Sequence, residues 1–95
     1  MVTPDYSTGI SINSGWTATY NGYVKFTLAH YGGRGSGYGY INGVEVARNS
    51  TNTGESVSGD VSSFMCPFKI GDVITYSSNG QYGAASAVVY KLTGE

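Results

Sequence analysis

The sequence carries little charge and a single cysteine. Charged residues make up 12% of its 95 positions, about half the usual share for a globular domain. The formal net charge of −1 provides no broad electrostatic field that would attract nucleic acid or an anionic membrane surface. Because Cys66 has no second cysteine to pair with, the fold must be stable without an internal disulfide, which fits folding in a reducing cytoplasm.

Long apolar runs and helical patterns are also absent. No run of eighteen apolar residues occurs, and the N-terminal residues resemble no secretory signal, so we expect no membrane insertion. Apolar residues do not recur at the spacing of an amphipathic helix, because glycine or a β-branched residue interrupts every candidate window. These absences favour a protein built from strands.

The segment Tyr23–Ala29 has the clearest strand pattern. Val24, Phe26 and Leu28 alternate with residues that are polar or small, as in a strand with one buried face. Asn21-Gly22, just before it, is a strong signal for a two-residue hairpin turn. We therefore expect Trp16–Tyr20 to pair with this strand.

A second Asn-Gly pair, Asn42-Gly43, predicts another hairpin. It would join Tyr38–Ile41 to Val44–Arg48, with Val44 and Val46 facing the core. The small polar residues of "NSTNTGES", 49–56, predict a solvated loop after this hairpin.

The remaining strand signals set the fold class. Turn signals every eight to twelve residues separate seven or eight short strands, which predicts an all-β antiparallel sandwich of jelly-roll type. Residues 1–95 form one domain, with residues 1–9 either within it or an extended N-terminal arm. Pro67 cannot donate a ladder hydrogen bond, so its strand ends there or lies at a sheet edge.

The stretch "HYGGRGSGYGY" is the most distinctive part of the chain. Its glycines precede a hairpin rather than a helix, which excludes a phosphate loop, and one arginine is too few for an arginine-glycine RNA box. Tyrosine beside glycine and serine is typical of protein-binding and glycan-binding loops. The candidate receptor-binding residues are Tyr31, Arg34, Tyr38 and Tyr40, unless these tyrosines simply cover a sheet.

The sequence offers no convincing catalytic or metal site. His30 is the only histidine, and Cys66 lies in the apolar "FMCPF", where a thiol is normally inert. Asp72 in "KIGD" is expected to accept backbone hydrogen bonds within its own turn. We therefore expect no catalytic residue, no metal and no cofactor.

Three stretches resemble a known class of domains: "SGWTATYNGYVKFTL" (Ser14–Leu28), "YINGVEVAR" (Tyr40–Arg48) and "CPFKIGDVITYSSN" (Cys66–Asn79). Together they are similar to the C-terminal, receptor-binding tip domains of bacteriophage tail fibres. This resemblance implies an antiparallel sandwich with the layout of C1q and tumour-necrosis-factor domains, assembled as a homotrimer. It does not imply an enzyme.

The resemblance implies a virion component that is made in the host cytoplasm. Such a tip domain would contact other virion proteins and attach to a bacterial surface polysaccharide or outer-membrane protein. The alternative is a structural trimerisation cap or a capsid decoration protein without receptor binding. A receptor-binding tip should expose the loop tyrosines and Arg34, whereas a cap should bury them between subunits.

Overall fold

The computed structural model describes residues 2–30, 34–52, 60–79 and 83–93, with the backbone alone for Arg34, Thr51 and Asn52. Within these residues a short 3-10 turn, Tyr6–Thr8, precedes eight strands. The strands are β1 (Ile10–Ile12), β2 (Trp16–Thr17), β3 (Gly22–His30), β4 (Arg34–Ile41), β5 (Val44–Asn52), β6 (Asp60–Phe68), β7 (Val73–Asn79) and β8 (Gly83–Lys91).

The described strands form two antiparallel four-stranded sheets that pack face to face. The first sheet has the order β1-β8-β3-β6 and the second the order β2-β7-β4-β5. Consecutive strands mostly lie in different sheets, so the chain crosses repeatedly from one layer to the other. This architecture confirms the predicted all-β antiparallel sandwich.

The core lies between the sheets and is centred on β3. Val24, Phe26 and Leu28 are fully buried, as their alternation predicted. Ile74 of the second sheet and Val89 of the first are also fully buried and belong to the same cluster. Each such side chain stabilises the fold by about 1.5–3 kcal/mol relative to leaving it in water.

The described part of the glycine-rich stretch from Arg34 onward lies in a strand, β4. In β4 the inward positions are Gly35, Gly37 and Gly39, and all three are buried. A Cβ atom at Gly39 would lie 2.7 Å from the ring of Phe26, and one at Gly37 would lie 3.0 Å from Cβ of Leu28. The glycines therefore let the second sheet approach the large side chains of β3.

The first predicted hairpin is wrong. Trp16–Thr17 pairs with β7 in the second sheet, and β3 pairs with β6 and β8 in the first. Gly22 is already within β3, where a side chain would collide with the carbonyl oxygen of Tyr90. This glycine is required by a close backbone approach rather than by a turn.

The second predicted hairpin is confirmed. Asn42 and Gly43 have φ angles of 54° and 80°, as a two-residue turn with two left-handed positions requires. Asn42 also accepts a hydrogen bond from the backbone N–H of Val73 at 2.9 Å and donates one to Asp72 at 2.9 Å. These bonds join the turn to the neighbouring turn at 69–72.

The predicted inward face of β5 is wrong. The register of β4 and β5 shifts between Gly39 and Tyr40, because one extra residue of β5, Val46, lies between Ala47 and Glu45, the partners of these consecutive β4 positions. Val44 and Val46 are 63% and 40% exposed, while Ala47 is buried. A β-bulge adds one residue to one strand and so reverses the alternation beyond it.

Two further expectations concern the outer strands. Asn49–Asn52 belongs to β5, and Asn49 is buried, so the predicted loop 49–56 begins later than expected; positions 53–56 lie outside the described residues. Pro67 lies in β6, which pairs with β3 alone and is therefore an edge strand, as predicted.

Candidate functional site

The four predicted binding residues do not lie together in a loop. Tyr31 lies outside the described residues, and Arg34 begins β4 with its side chain outside them as well. Tyr38 and Tyr40 lie within β4, both half-buried and on the face that points away from the core. The predicted strand Tyr38–Ile41 is confirmed but begins earlier, at Arg34, so residues 34–37 of the predicted loop belong to it.

The sequence of β4 explains why both tyrosines point outward. Glycine occupies the inward positions, so Ser36, Tyr38 and Tyr40 occupy the outward ones. The strand lies in the interior of its sheet, with β5 on one side and β7 on the other. A site on such a strand is held more rigidly than a site on a loop.

The two tyrosine rings lie side by side along the strand. Their centroids are 6.3 Å apart and their planes differ by 31°. Hydrogen bonding by Ser36, and then by Arg48, lowers the pKa of the Tyr38 hydroxyl from its ordinary value. The rings and hydroxyls thus form an amphipathic strip on the outer surface of the second sheet.

Arg48 and Glu45 of β5 complete this strip. Arg48 lies directly across from Tyr38, and Glu45 across from Tyr40. The guanidinium carbon of Arg48 is 5.5 Å from the centroid of the Tyr38 ring, within the range of a cation–π interaction. Nε of Arg48 lies 3.9 Å from Oε1 of Glu45.

Sequence reasoning missed Arg48 because it assumed unbroken alternation in β5. Residues three apart in a regular strand point to opposite faces, and only the bulge brings Glu45 and Arg48 to the same face. One signal was available: the expected alternation put the charged Arg48 on the same face as the core valines. An unpaired charge on a buried face is costly, so the pattern itself indicated an interruption.

Hydroxyl groups border the strip on its other side. Thr75 and Ser77 of β7 lie across from Tyr40 and Tyr38, respectively. Ser77 is exposed and Thr75 is half-exposed. We call this outward surface the tyrosine face: Ser36, Tyr38, Tyr40, Glu45, Arg48, Thr75 and Ser77. Aromatic rings with hydroxyls and one guanidinium can bind sugar rings, hydroxyls or oxyanions.

The outward surface of the first sheet differs in chemistry. Lys25 is the one charged side chain among the described outward residues of β3, β6 and β8. Val61 and Met65 are 56% and 39% exposed there. We call this surface the apolar face: Tyr23, Lys25, Ala29, Val61, Met65, Pro67, Ala84 and Val88. A row of hydroxyl side chains, Thr27, Ser63 and Ser86, crosses its middle.

The residues considered for catalysis lie apart. His30 is buried at one end of β3, whereas Cys66 pairs with Val24, six residues away along that strand, or roughly 20 Å. Burial raises the pKa of the Cys66 thiol. In the part of the chain that the structure describes, no three His, Cys, Asp or Glu side chains come together as a metal-binding group.

The carboxylate of Asp72 has the structural role that was predicted for it. Its Oδ2 accepts a hydrogen bond from the backbone N–H of Lys69 at 2.9 Å. This bond, and then the one from Asn42, lowers the pKa of Asp72. Within the described ranges, no helix has the length and apolar character needed to cross a membrane.

Comparison with known proteins leaves the family open. No protein-family model matches the chain, and no curated protein matches it. Its function must therefore be inferred from its own residues.

Proposed function

We propose that this protein is a non-enzymatic bacteriophage virion component, the receptor-binding tip of a tail fibre, made in the host cytoplasm. Its receptor is a glycan on the bacterial surface, bound by the tyrosine face. One observation carries this proposal: Tyr38 and Tyr40 lie side by side on an interior strand, flanked by Arg48 and by hydroxyl groups. Rigid aromatic rings bordered by polar side chains are suited to the two-sided chemistry of a sugar, with apolar C–H faces and polar edges.

The strand pairing supports a jelly roll. The pairs are β1 with β8, β2 with β7, β3 with β6 and β4 with β5. Such pairing results when a long antiparallel hairpin, closed by Asn42-Gly43, is wound into two layers. Jelly rolls are used widely as capsid and lectin domains, so the pairing agrees with a virion protein that binds glycans.

The apolar face supports a homotrimer. Three nine-residue strands about 4.8 Å apart, at about 3.3 Å per residue, give a face of roughly 430 Å². In a trimer each subunit would divide this face between its two neighbours, so the three faces together would remove roughly 1,300 Å² of sheet area from water. Three subunits that meet through this face would present three tyrosine faces outward, and multivalent binding would raise the overall affinity.

Glycan binding is tested with the variant Tyr38→Ala/Tyr40→Ala. We expect it to lose binding to a glycan array and to host cells, while Tyr6→Ala, which removes a tyrosine that is 66% exposed elsewhere, retains both. Thermal unfolding of each variant shows whether binding is lost because contacts are removed or because the variant no longer folds. Unchanged binding by the double variant would refute the assignment to the tyrosine face.

Light scattering at micromolar concentration tests the trimer. We expect three chains per particle for the parent and dissociation for Met65→Asp, because a charge would be buried at the interface. Val44→Asp, at a position that is 63% exposed outside this face, is the matched control. If the parent protein is monomeric, the proposal of a trimeric tip is wrong. Dissociation by Tyr38→Ala/Tyr40→Ala instead would favour the structural cap or the capsid decoration protein.

A further inference from the structure

Arg48 has the geometry of a ligand-binding residue. It is the one cation among the described side chains of the tyrosine face, its side chain is 60% exposed, and its guanidinium lies 5.5 Å from the centroid of the Tyr38 ring. A stacked guanidinium has fewer conformations to lose on binding, and its planar set of N–H donors matches the two oxygens of a carboxylate.

Glu45 forms only a weak ion pair with Arg48. The two side chains approach at 3.9 Å, through Nε alone, and Glu45 is itself 41% exposed. An exposed pair at this separation interacts weakly in water. Glu45 is also the one carboxylate among the described residues of the tyrosine face. Arg48 is therefore held in place by neighbours that leave it able to bind an anion from solution.

We propose that the glycan bound by the tyrosine face is acidic, with pyranose rings that carry carboxylates. The apolar face of one sugar packs on the Tyr40 ring, and its carboxylate accepts hydrogen bonds from Arg48. Hydroxyls of the glycan reach Thr75 and Ser77, which lie across from the two tyrosines. This inference rests on the proposed glycan binding and adds the charge of the ligand to it.

A neutral glycan would not use Arg48 in this way. Stacking uses the tyrosines, and neutral hydrogen bonds use the hydroxyls. A guanidinium can also donate to a neutral hydroxyl, but only an oxyanion adds charge attraction and accepts a bidentate pair of its N–H groups. A phosphate group offers oxyanions too, and a phosphodiester-linked glycan therefore serves as a separate arm of the test.

Isothermal titration calorimetry tests this proposal by measuring the affinity of three probes: a linear polyuronate oligosaccharide, its carboxyl-reduced counterpart and a phosphodiester-linked glycan. We expect the polyuronate to bind about 10- to 100-fold more tightly than the reduced form, as hydrogen bonds to a charged group predict. Arg48→Gln should remove most of this preference, because it should weaken binding of the polyuronate far more than binding of the reduced form. Lys25→Gln, on the apolar face, is the matched loss of one positive charge.

A second variant avoids any effect of losing the stacked guanidinium. Glu45→Gln keeps Arg48 and removes the competing carboxylate, so the polyuronate should bind more tightly, and added salt should weaken that binding. Thermal unfolding checks that both variants fold like the parent.

The possible results separate the two proposals. Equal affinity for the polyuronate and its reduced form, or no change with both Arg48→Gln and Glu45→Gln, overturns the acidic ligand and leaves glycan binding standing. Tighter binding of the phosphodiester-linked glycan than of the polyuronate would overturn the proposal that the ligand's acidic group is a carboxylate. Binding to host cells but to none of the three probes, nor to any glycan of an array, overturns both and indicates a protein receptor.

Discussion

Gly39→Ala tests whether glycine on the inner face of β4 sets the distance between the sheets. The added Cβ would lie 2.7 Å from two carbons of the Phe26 ring and 2.9 Å from a third. Ordinary carbon contacts are about 3.5–4.0 Å, so the atoms must separate by nearly 1 Å. Phe26 is fully buried, so its ring has no space to move. A Cβ at Gly37 would lie 2.5 Å from the carbonyl oxygen of Ala84 in β8 and 3.0 Å from Cβ of Leu28 in β3, so β4 has no space to move either.

The expected loss of stability follows from this crowding. Overpacking a core costs about 1–3 kcal/mol, and the lower entropy of the unfolded alanine chain offsets about 0.4–1 kcal/mol of it. We expect a net loss of about 1–2 kcal/mol. The midpoint of thermal unfolding should fall by roughly 5–15 °C, since 1 kcal/mol corresponds to about 4–8 °C in a domain of this size.

Urea and thermal denaturation of four proteins measure this effect: the parent, Gly39→Ala, Phe26→Leu and the double variant. If the clash is the cause, the smaller leucine relieves it, and the double variant is more stable than the sum of the single changes predicts. Ser77→Ala, at an exposed position of the neighbouring strand, should change stability by less than about 0.5 kcal/mol. Additive changes, or a Gly39→Ala variant as stable as the parent, would refute the reasoning.

Three further predictions concern the turns and the thiol. Asn42→Ala should lower the free energy of unfolding by about 2–3 kcal/mol in urea titrations, because it places alanine in a left-handed conformation and removes two hydrogen bonds. Asn42→Gly removes the same hydrogen bonds without the strain, so it should lower the free energy of unfolding by about half as much. Folding lowers the pKa of Asp72, chiefly through the hydrogen bond from the N–H of Lys69. Its carboxylate therefore stabilises the fold at pH values above its unfolded pKa of about 3.9, and this stabilisation is lost as the pH falls through the lower pKa of the folded protein. Unfolding measured from pH 6 to pH 2 should therefore show a smaller acid-induced loss for Asp72→Asn than for the parent, and equal losses would contradict it. Because burial raises the pKa of Cys66, alkylation of its thiol at pH 8 should be slow in the native protein and fast in denaturant; equal rates would argue against burial as the cause.

Several features of the fold could be predicted from local patterns. The alternation of Val24, Phe26 and Leu28 identified the strand that forms the centre of the core. Asn42-Gly43 identified its turn correctly, since few dipeptides adopt two left-handed positions easily. Asn21-Gly22 is the same dipeptide but has a different role. Glycine is needed at position 22 because a side chain there would collide with the carbonyl oxygen of Tyr90, a residue far away in the chain.

The candidate site was predicted only in part. Tyr38 and Tyr40 were identified by their composition, and their strand was predicted from Tyr38 onward. Its first residues, 34–37, were predicted as a loop, because glycine in a sequence indicates a loop more often than a close contact between sheets. Arg48 was missed because a single bulge in β5 changes which residues share a face.

The amino-acid sequence by itself determined the all-β sandwich, the strand at its core and the tyrosines of the proposed site, because these depend on alternation, turn chemistry and side-chain type within a few residues. Only the tertiary structure decided that Trp16–Thr17 pairs with β7, that the glycines of β4 face Phe26 and Leu28, and that Arg48 lies beside Tyr38. These features depend on strand partners and register, which are set by how two whole sheets pack rather than by any short segment.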